Sequence, residues 1–251
     1  MVVTGEFSFQ NASHFAKLSE LAYEKAEDKV RAASKKFGYK SVKYFDKDGA
    51  QCYGFEHDNY LVLSFRGTEP TTANDVKADL NILHCEDSPR PGRVHRGFKS
   101  EVDTLWPDID KWLKTKNKSR VYTCGHSLGG AMSGIAATRI EGSICYNYGC
   151  PRIGNDKWRR AFNESHKMYR FVNDRDIVPR IPPKWMRYKH AGELFHINKT
   201  GDKITKNPNP WDQFKRGMAN MCRNPLRITQ GIQDHDMADY CKFIENWSKN
   251  H

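Results

Sequence analysis

The sequence predicts an α/β fold built on a central, mostly parallel sheet with helices on both faces. Apolar runs at Tyr60–Phe65, Arg120–Cys124, residues 143–148 and residues 167–172 have the composition of strands covered on two sides. An Ala/Gly-rich helical segment over residues 128–140 lies between the second and third of them, which gives the strand–helix–strand alternation of a parallel sheet. Where that strand meets that helix stands Gly125-His126-Ser127-Leu128-Gly129-Gly130, a turn so tight that side chains at 125 and 129 would collide with the backbone.

The remaining elements follow from periodicity and breakers. Phe15, Leu18, Ala22, Ala26, Val30, Ala33 and Phe37 recur every three or four residues, which predicts an amphipathic helical segment over about 12–37, broken once and ending at Gly38. Ser41–Phe45 and Ala50–Glu56 flank Asp46-Lys47-Asp48-Gly49 and predict a hairpin. The stretch from Glu69 to Arg96 is polar, relieved by Leu80, Ile82 and Leu83, and carries Pro89 and Pro91; it reads as a loop over the site. A helix follows from about Gly97 to Leu113, adjusted around Pro107. Beyond Ile197 the chain reads as irregular until a last amphipathic helix, Met237 to Trp247.

Bulk properties narrow the function classes. A chain of 251 residues can bury one substantial core, so residues 1–251 are read as a single domain. The net charge of +11 is spread from Lys17 to Lys249, with no zinc-finger spacing, RNP-like strand or arginine-rich arm, which argues against a nucleic-acid partner. No His/Asp cluster has metal-ligand spacing, so neither metal nor cofactor is expected. Seven cysteines, odd in number and without C-x-x-C spacing, favour reducing surroundings. With no signal-peptide pattern and no apolar stretch of membrane-spanning length, the expected location is cytoplasmic. Oligomeric state is left open.

The glycine-flanked turn is a nucleophile elbow, and Ser127 is its nucleophile. A serine hydroxyl needs a neighbouring base and donors for the oxyanion that forms when it attacks an acyl carbon. His126 leaves the turn in another direction and reads as a packing residue; His196 reads as a strand histidine. His235, at a loop-to-helix junction after the last strands, has the chain position of the base. The orienting acid is Asp176 or Asp174, and the apolar Ile177-Val178-Pro179 that follows favours Asp176. Leu128 offers a backbone N–H as one oxyanion donor, and Thr68, just beyond the Tyr60–Phe65 strand, offers another unless Arg66-Gly67-Thr68-Glu69 is only a turn.

Several segments together resemble the class 3 lipases, the filamentous-fungal triacylglycerol lipases and their plant and microbial relatives. They are Phe65-Arg-Gly-Thr68, Val94-His-Arg-Gly-Phe98, Gly125–Gly130, Tyr148-Gly-Cys-Pro-Arg-Ile-Gly-Asn155, Phe171–Pro183, His190-Ala-Gly-Glu-Leu194 and Asp234-His235, in family order over roughly residues 40–245. The resemblance implies an α/β-hydrolase fold with a short lid segment, and hydrolysis of lipid esters such as acylglycerols through an acyl-enzyme. It implies Ser127 as nucleophile, Asp176 rather than Asp174 as acid, His235 as base, and Thr68 with Leu128 as oxyanion donors. Two alternatives stay open: an acyltransferase using the same serine, and a non-catalytic protein of this fold. The lid equivalent, Glu69 to Leu80, has only Val76 and Leu80 as large apolar residues, so dissolved short- or medium-chain esters are expected as substrates, with weak interfacial activation. Basic residues Lys77, Arg90, Arg93, Arg96, Arg175, Arg180, Lys184 and Arg187 suggest transient contact with an anionic membrane surface.

Overall fold

Alternation along the strands sorts side chains into two cores, one on each face of a single large sheet. The computed structural model of the chain describes residues 5–67, 83–87, 90–116, 120–209, 231 and 233–250. Within them the sheet has eight strands: β1 (Ser41–Lys47), β2 (Ala50–Glu56), β3 (Leu61–Phe65), β6 (Val121–His126), β7 (Ile144–Tyr148), β8 (Lys167–Asn173), β9 (Glu193–Ile197) and β10 (Ile204–Lys206), in that spatial order. The pairings from β3 through β9 are parallel, and those at the two edges are antiparallel. Short strands β4 (His84–Glu86) and β5 (Arg93–His95) form a separate ribbon.

One face carries Val62, Tyr122, Cys124, Tyr146, Tyr148, Phe171 and Phe195. It packs on α1 (Phe9–Leu21) and on the last helix, α6 (Met237–Asn250). The other face carries Leu63, Phe65, Cys145 and Met168 under α3 (Arg96–Lys114), α4 (Leu128–Ala137) and α5 (Asp156–Ser165). Every residue of β3, β6 and β7 is buried, as the unbroken apolar runs require of strands covered on both sides. Three helix starts are capped by side chains. Ser8 accepts from Asn11 N–H, His95 from Phe98 N–H and Asn155 from Trp158 N–H.

Several expectations shift in detail. The N-terminal helical segment is two helices, with α1 beginning at Phe9 and α2 spanning Glu27–Lys36. The hairpin turn is only Asp48-Gly49, both with positive φ (52° and 87°), so Asp46 and Lys47 belong to β1 and pair with Gln51 and Ala50. Helix α3 runs through Pro107 as one element. Strand β10 lies in the stretch read as irregular, and β4 and β5 lie in the stretch read as loop. The lid equivalent, Glu69–Leu80, lies outside the described residues.

Candidate active site

β6 ends at His126, and the chain reverses through Ser127 into α4. Ser127 has φ 57° and ψ −130°, a conformation costly for a residue with a side chain. The cost is held by the surroundings. Ser127 N–H donates to Tyr148 O at 3.0 Å on the neighbouring strand, and Gly130 N–H to Ser127 O at 3.0 Å. A Cβ at Gly125 would strike Gly129 backbone, and one at Gly129 would strike Phe65 O. Ser127 occupies the N-cap position of α4, yet its hydroxyl makes no capping bond. Its Oγ is buried and has no hydrogen-bond partner among the described residues. Leu128 is the first residue of α4, where helix geometry leaves the N–H without an intrahelical acceptor. Thr68 lies outside the described residues.

Asp176 follows β8 by three residues and is buried. Its Oδ1 accepts from Val178 N–H at 2.9 Å. Its Oδ2 accepts from the Tyr240 hydroxyl at 2.6 Å and pairs with His235 Nδ1 at 2.8 Å. A carboxylate only accepts, so the His235 proton sits on Nδ1 and the Nε2 lone pair is left free to take another. That Nε2 is buried and, like Ser127 Oγ, has no hydrogen-bond partner among the described residues. Contacts between a nucleophile and its base are commonly loose until substrate binds.

The remaining neighbours hold His235 in place. His126, buried, packs at 4.3 Å between ring centroids on His235 and bonds the His235 carbonyl through Nε2 at 2.8 Å. That carbonyl can only accept, so His126 Nε2 carries the proton and Nδ1 accepts from the Tyr23 hydroxyl, 2.9 Å away. Burial, reinforced by His235, pushes the His126 pKa well below its ordinary value, which keeps the ring neutral beside His235. Asn173 Nδ2 donates to Asp234 O at 3.0 Å, and Arg175 N–H donates to Asp234 Oδ2 at 3.2 Å. Burial raises the Asp234 carboxyl above its usual range.

The structure therefore brings Asp176 and His235 together next to the elbow and leaves Asp174 apart. Asp174, with φ 23°, pairs with Arg175 at 3.6 Å, and its carbonyl accepts from His196. His190 is spent on Pro179 O at 2.7 Å, and His166 accepts from Arg90 at 2.9 Å. Sequence reasoning missed Tyr240, Tyr23, Gly149 and the bonds made by His126. Gly149 has φ 56°, and a Cβ there would lie 2.7 Å from Asp176 Oδ2 and 2.8 Å from His235 Nδ1. Gly149→Ala is expected to lower ester turnover at least about 100-fold, the scale of small displacements in a catalytic constellation. Gly142→Ala is the control: φ is 67° there too, but nothing lies within 4 Å of a Cβ. It should cost about 1 kcal/mol of stability and no activity. Thermal melts beside an ester assay check both; equal activity in the two variants would contradict the close packing around the pair.

The order of strands, the elbow and the late Asp-His segment can now be set beside known proteins. The family model of the class 3 lipases matches residues 62–186, from β3 to the segment beyond Asp176. The chain belongs to the class 3 lipase family. Over 156 residues it is 29% identical to the secreted mono- and diacylglycerol lipase MDL3 of Malassezia globosa, covering 55% of this chain and 51% of that protein. It is 37% identical over 207 residues to the toxin TseL of Vibrio cholerae, covering 62% of this chain and 32% of the toxin. Lipase II from Rhizopus niveus has the same fold, with TM-score 0.66 at 21% identity, over 80% of this chain and 84% of that one. The class 3 lipase chain thus has the α/β-hydrolase fold, and it spans about half the length of MDL3.

The expected cytoplasmic location is overturned, because MDL3 and other Malassezia relatives are named as secreted. The cysteine argument fails for a physical reason. The six described cysteines are unpaired, and Cys52, Cys124, Cys145 and Cys150 are fully buried, where burial pushes the thiols up, to about 12 at Cys124 and about 11 at Cys145. Such thiols are inert packing groups in any compartment and say nothing about which one. Among the described residues no helix is long and apolar enough to cross a membrane, and no three His, Cys, Asp or Glu side chains could hold a metal ion.

Proposed function

We propose that this class 3 lipase chain is a serine carboxylic ester hydrolase that acts on lipid esters such as acylglycerols through an acyl-enzyme. The observation that carries the reading is the Asp176–His235 pair beside the elbow. It fixes the imidazole proton on Nδ1 and leaves a buried Nε2 beside the elbow of a buried serine hydroxyl, both without a hydrogen-bond partner among the described residues. Ser127 Oγ attacks the acyl carbon while His235 Nε2 takes its proton. The oxyanion is met by the Leu128 N–H and, in the role carried over from the family, by Thr68. His235 then gives its proton to the departing alcohol, and water repeats the sequence on the acyl-enzyme to release the acid and restore Ser127.

The Malassezia relatives, named mono- and diacylglycerol lipases, support acylglycerols as the substrate class, and their secretion supports action outside the cell. We read the 251 residues as one hydrolase domain whose partners are an ester substrate and, transiently, an anionic lipid surface. The polar Glu69–Leu80 stretch leads to an expected result with p-nitrophenyl butyrate. The rate should rise hyperbolically below the solubility limit, with no sharp increase at the emulsion boundary. Near-zero turnover below that limit followed by a steep rise would contradict it. Adding an alcohol to the same assay separates hydrolysis from acyl transfer, since a transferase would convert most of the acyl group to a new ester.

A further inference from the structure

Two large apolar side chains stand out among the described residues: Trp185 is 80% exposed and Leu83 is 52% exposed. An indole left in water forfeits more apolar burial than any other side chain, so its exposure calls for a partner. The two belong to one place on the surface. His84, next to Leu83, bonds Met186 O through Nε2 at 3.1 Å and stacks on Tyr188 at 4.0 Å, which joins the chain at Leu83 to the chain at Trp185. Arg96 N–H donates to Leu83 O at 2.8 Å, and Arg187 N–H to Lys184 O at 3.0 Å, so three basic residues lie on backbone joined to, or next to, the apolar pair.

The charges there differ from those of three other members of the expected basic rim. Arg93 is paired with Glu86, Arg90 donates to His166, and Arg175 lies against Asp174. Arg96, Lys184 and Arg187 are exposed and form no ion pair among the described residues. Lys77, which belonged to the expected basic rim, lies outside the described residues. The Lys184–Met186 turn is linked to the acid by the short segment that begins at Asp176, which places the patch on chain that leads directly from the site.

We propose that Trp185 and Leu83 form an apolar tip that inserts into an anionic lipid surface while Arg96, Lys184 and Arg187 hold the headgroups. An aromatic residue favours the bilayer interface, and unpaired cations beside it select negative lipid. The proposal rests on the lipid-ester reading for the substrate's whereabouts, but its test needs no turnover. Flotation with phosphatidylcholine vesicles, with and without about 30% phosphatidylglycerol, compares wild type, Trp185→Ala and Lys184→Gln/Arg187→Gln. Trp185→Ala should lower partitioning to both vesicle types roughly tenfold, from the apolar area withdrawn. The charge variant should lower only anionic binding, by about fivefold per charge, and flatten its salt dependence.

Hydrolysis of dissolved p-nitrophenyl butyrate should be unchanged in every variant. Loss of that activity in Trp185→Ala would make the residue part of the substrate site and overturn the proposal. Vesicle binding equal to wild type in Trp185→Ala would overturn it as well. So would a concentration-dependent dimer in sedimentation that this substitution abolishes, since the tip would then face a second copy of the chain. Wild type that floats as described yet hydrolyses no ester would leave the docking surface standing and remove the esterase reading instead.

Discussion

Ser127→Ala and His235→Ala should each reduce kcat on a dissolved ester by roughly five to six orders of magnitude, and the double variant should be scarcely worse. The near-equality follows from how the site works. In the proposed mechanism the elbow has no nucleophile without the hydroxyl, and without the imidazole no other described side chain beside the elbow is free to take the hydroxyl proton. His126 cannot substitute, because its Nε2 hydrogen is committed to the His235 carbonyl and its Nδ1 to Tyr23. Ser127→Ala should melt close to wild type, since Ser127 Oγ makes no hydrogen bond among the described residues, whereas His235→Ala removes the Nδ1 bond to buried Asp176 and the ring packing on His126 and should cost about 1–3 kcal/mol. Initial rates with active-site-titrated protein check the loss. A Ser127→Ala protein retaining more than a small fraction of wild-type turnover would contradict the mechanism.

The next largest effect is expected at Asp176. Asp176→Asn should lower kcat by about four orders of magnitude with the fold intact. Its Oδ1 accepts from Val178 N–H, and its Oδ2 accepts from both Tyr240 and His235. An asparagine that keeps its oxygen toward Val178 turns an N–H₂ toward His235 Nδ1. The imidazole proton is then forced onto Nε2, the atom that receives the serine proton in the proposed mechanism. The opposite flip sets two donors against each other at Val178, which costs about 1–3 kcal/mol for an unsatisfied buried group. Asp174→Asn should change kcat less than about threefold, because the Asp174 carboxylate lies against Arg175 and, among the described residues, makes no hydrogen bond to His235. The reverse ranking would move the acid role to Asp174.

How far the sequence could be read depended on the range of the interaction. Strands β3, β6, β7 and β8 were legible because burial on both faces leaves a continuous apolar run, and the elbow was legible because Gly125 is demanded by contact with Gly129 four residues on, although Gly129 is itself demanded by Phe65 and Arg66 at the end of the neighbouring strand. The turn Asp48-Gly49 was located only loosely, since charged Asp46 and Lys47 look like loop while pairing on the solvent-facing edge strand. β10 is three residues long and exists through its pairing with β9, which no local pattern announces. Ser127, Asp176 and His235 were named from chain order and family likeness. Their supports were not, because Tyr240 reaches Asp176 across 64 positions and Tyr23 reaches His126 across 103. On helices α1 and α6 and their flanks, a core tyrosine and a tyrosine whose hydroxyl steers the site have the same spacing and differ only in what folds against them.

The proposed mechanism requires that Ser127 become acylated during turnover with His235 as its base. Intact-protein mass spectrometry after reaction with a fluorophosphonate, followed by peptide mapping, tests it most directly. One adduct is expected, on the peptide containing Ser127, absent in Ser127→Ala and formed at least about 1,000-fold more slowly in His235→Ala. Ester hydrolysis by a wild-type protein that takes no label at Ser127, or hydrolysis that survives complete labelling there, would contradict it.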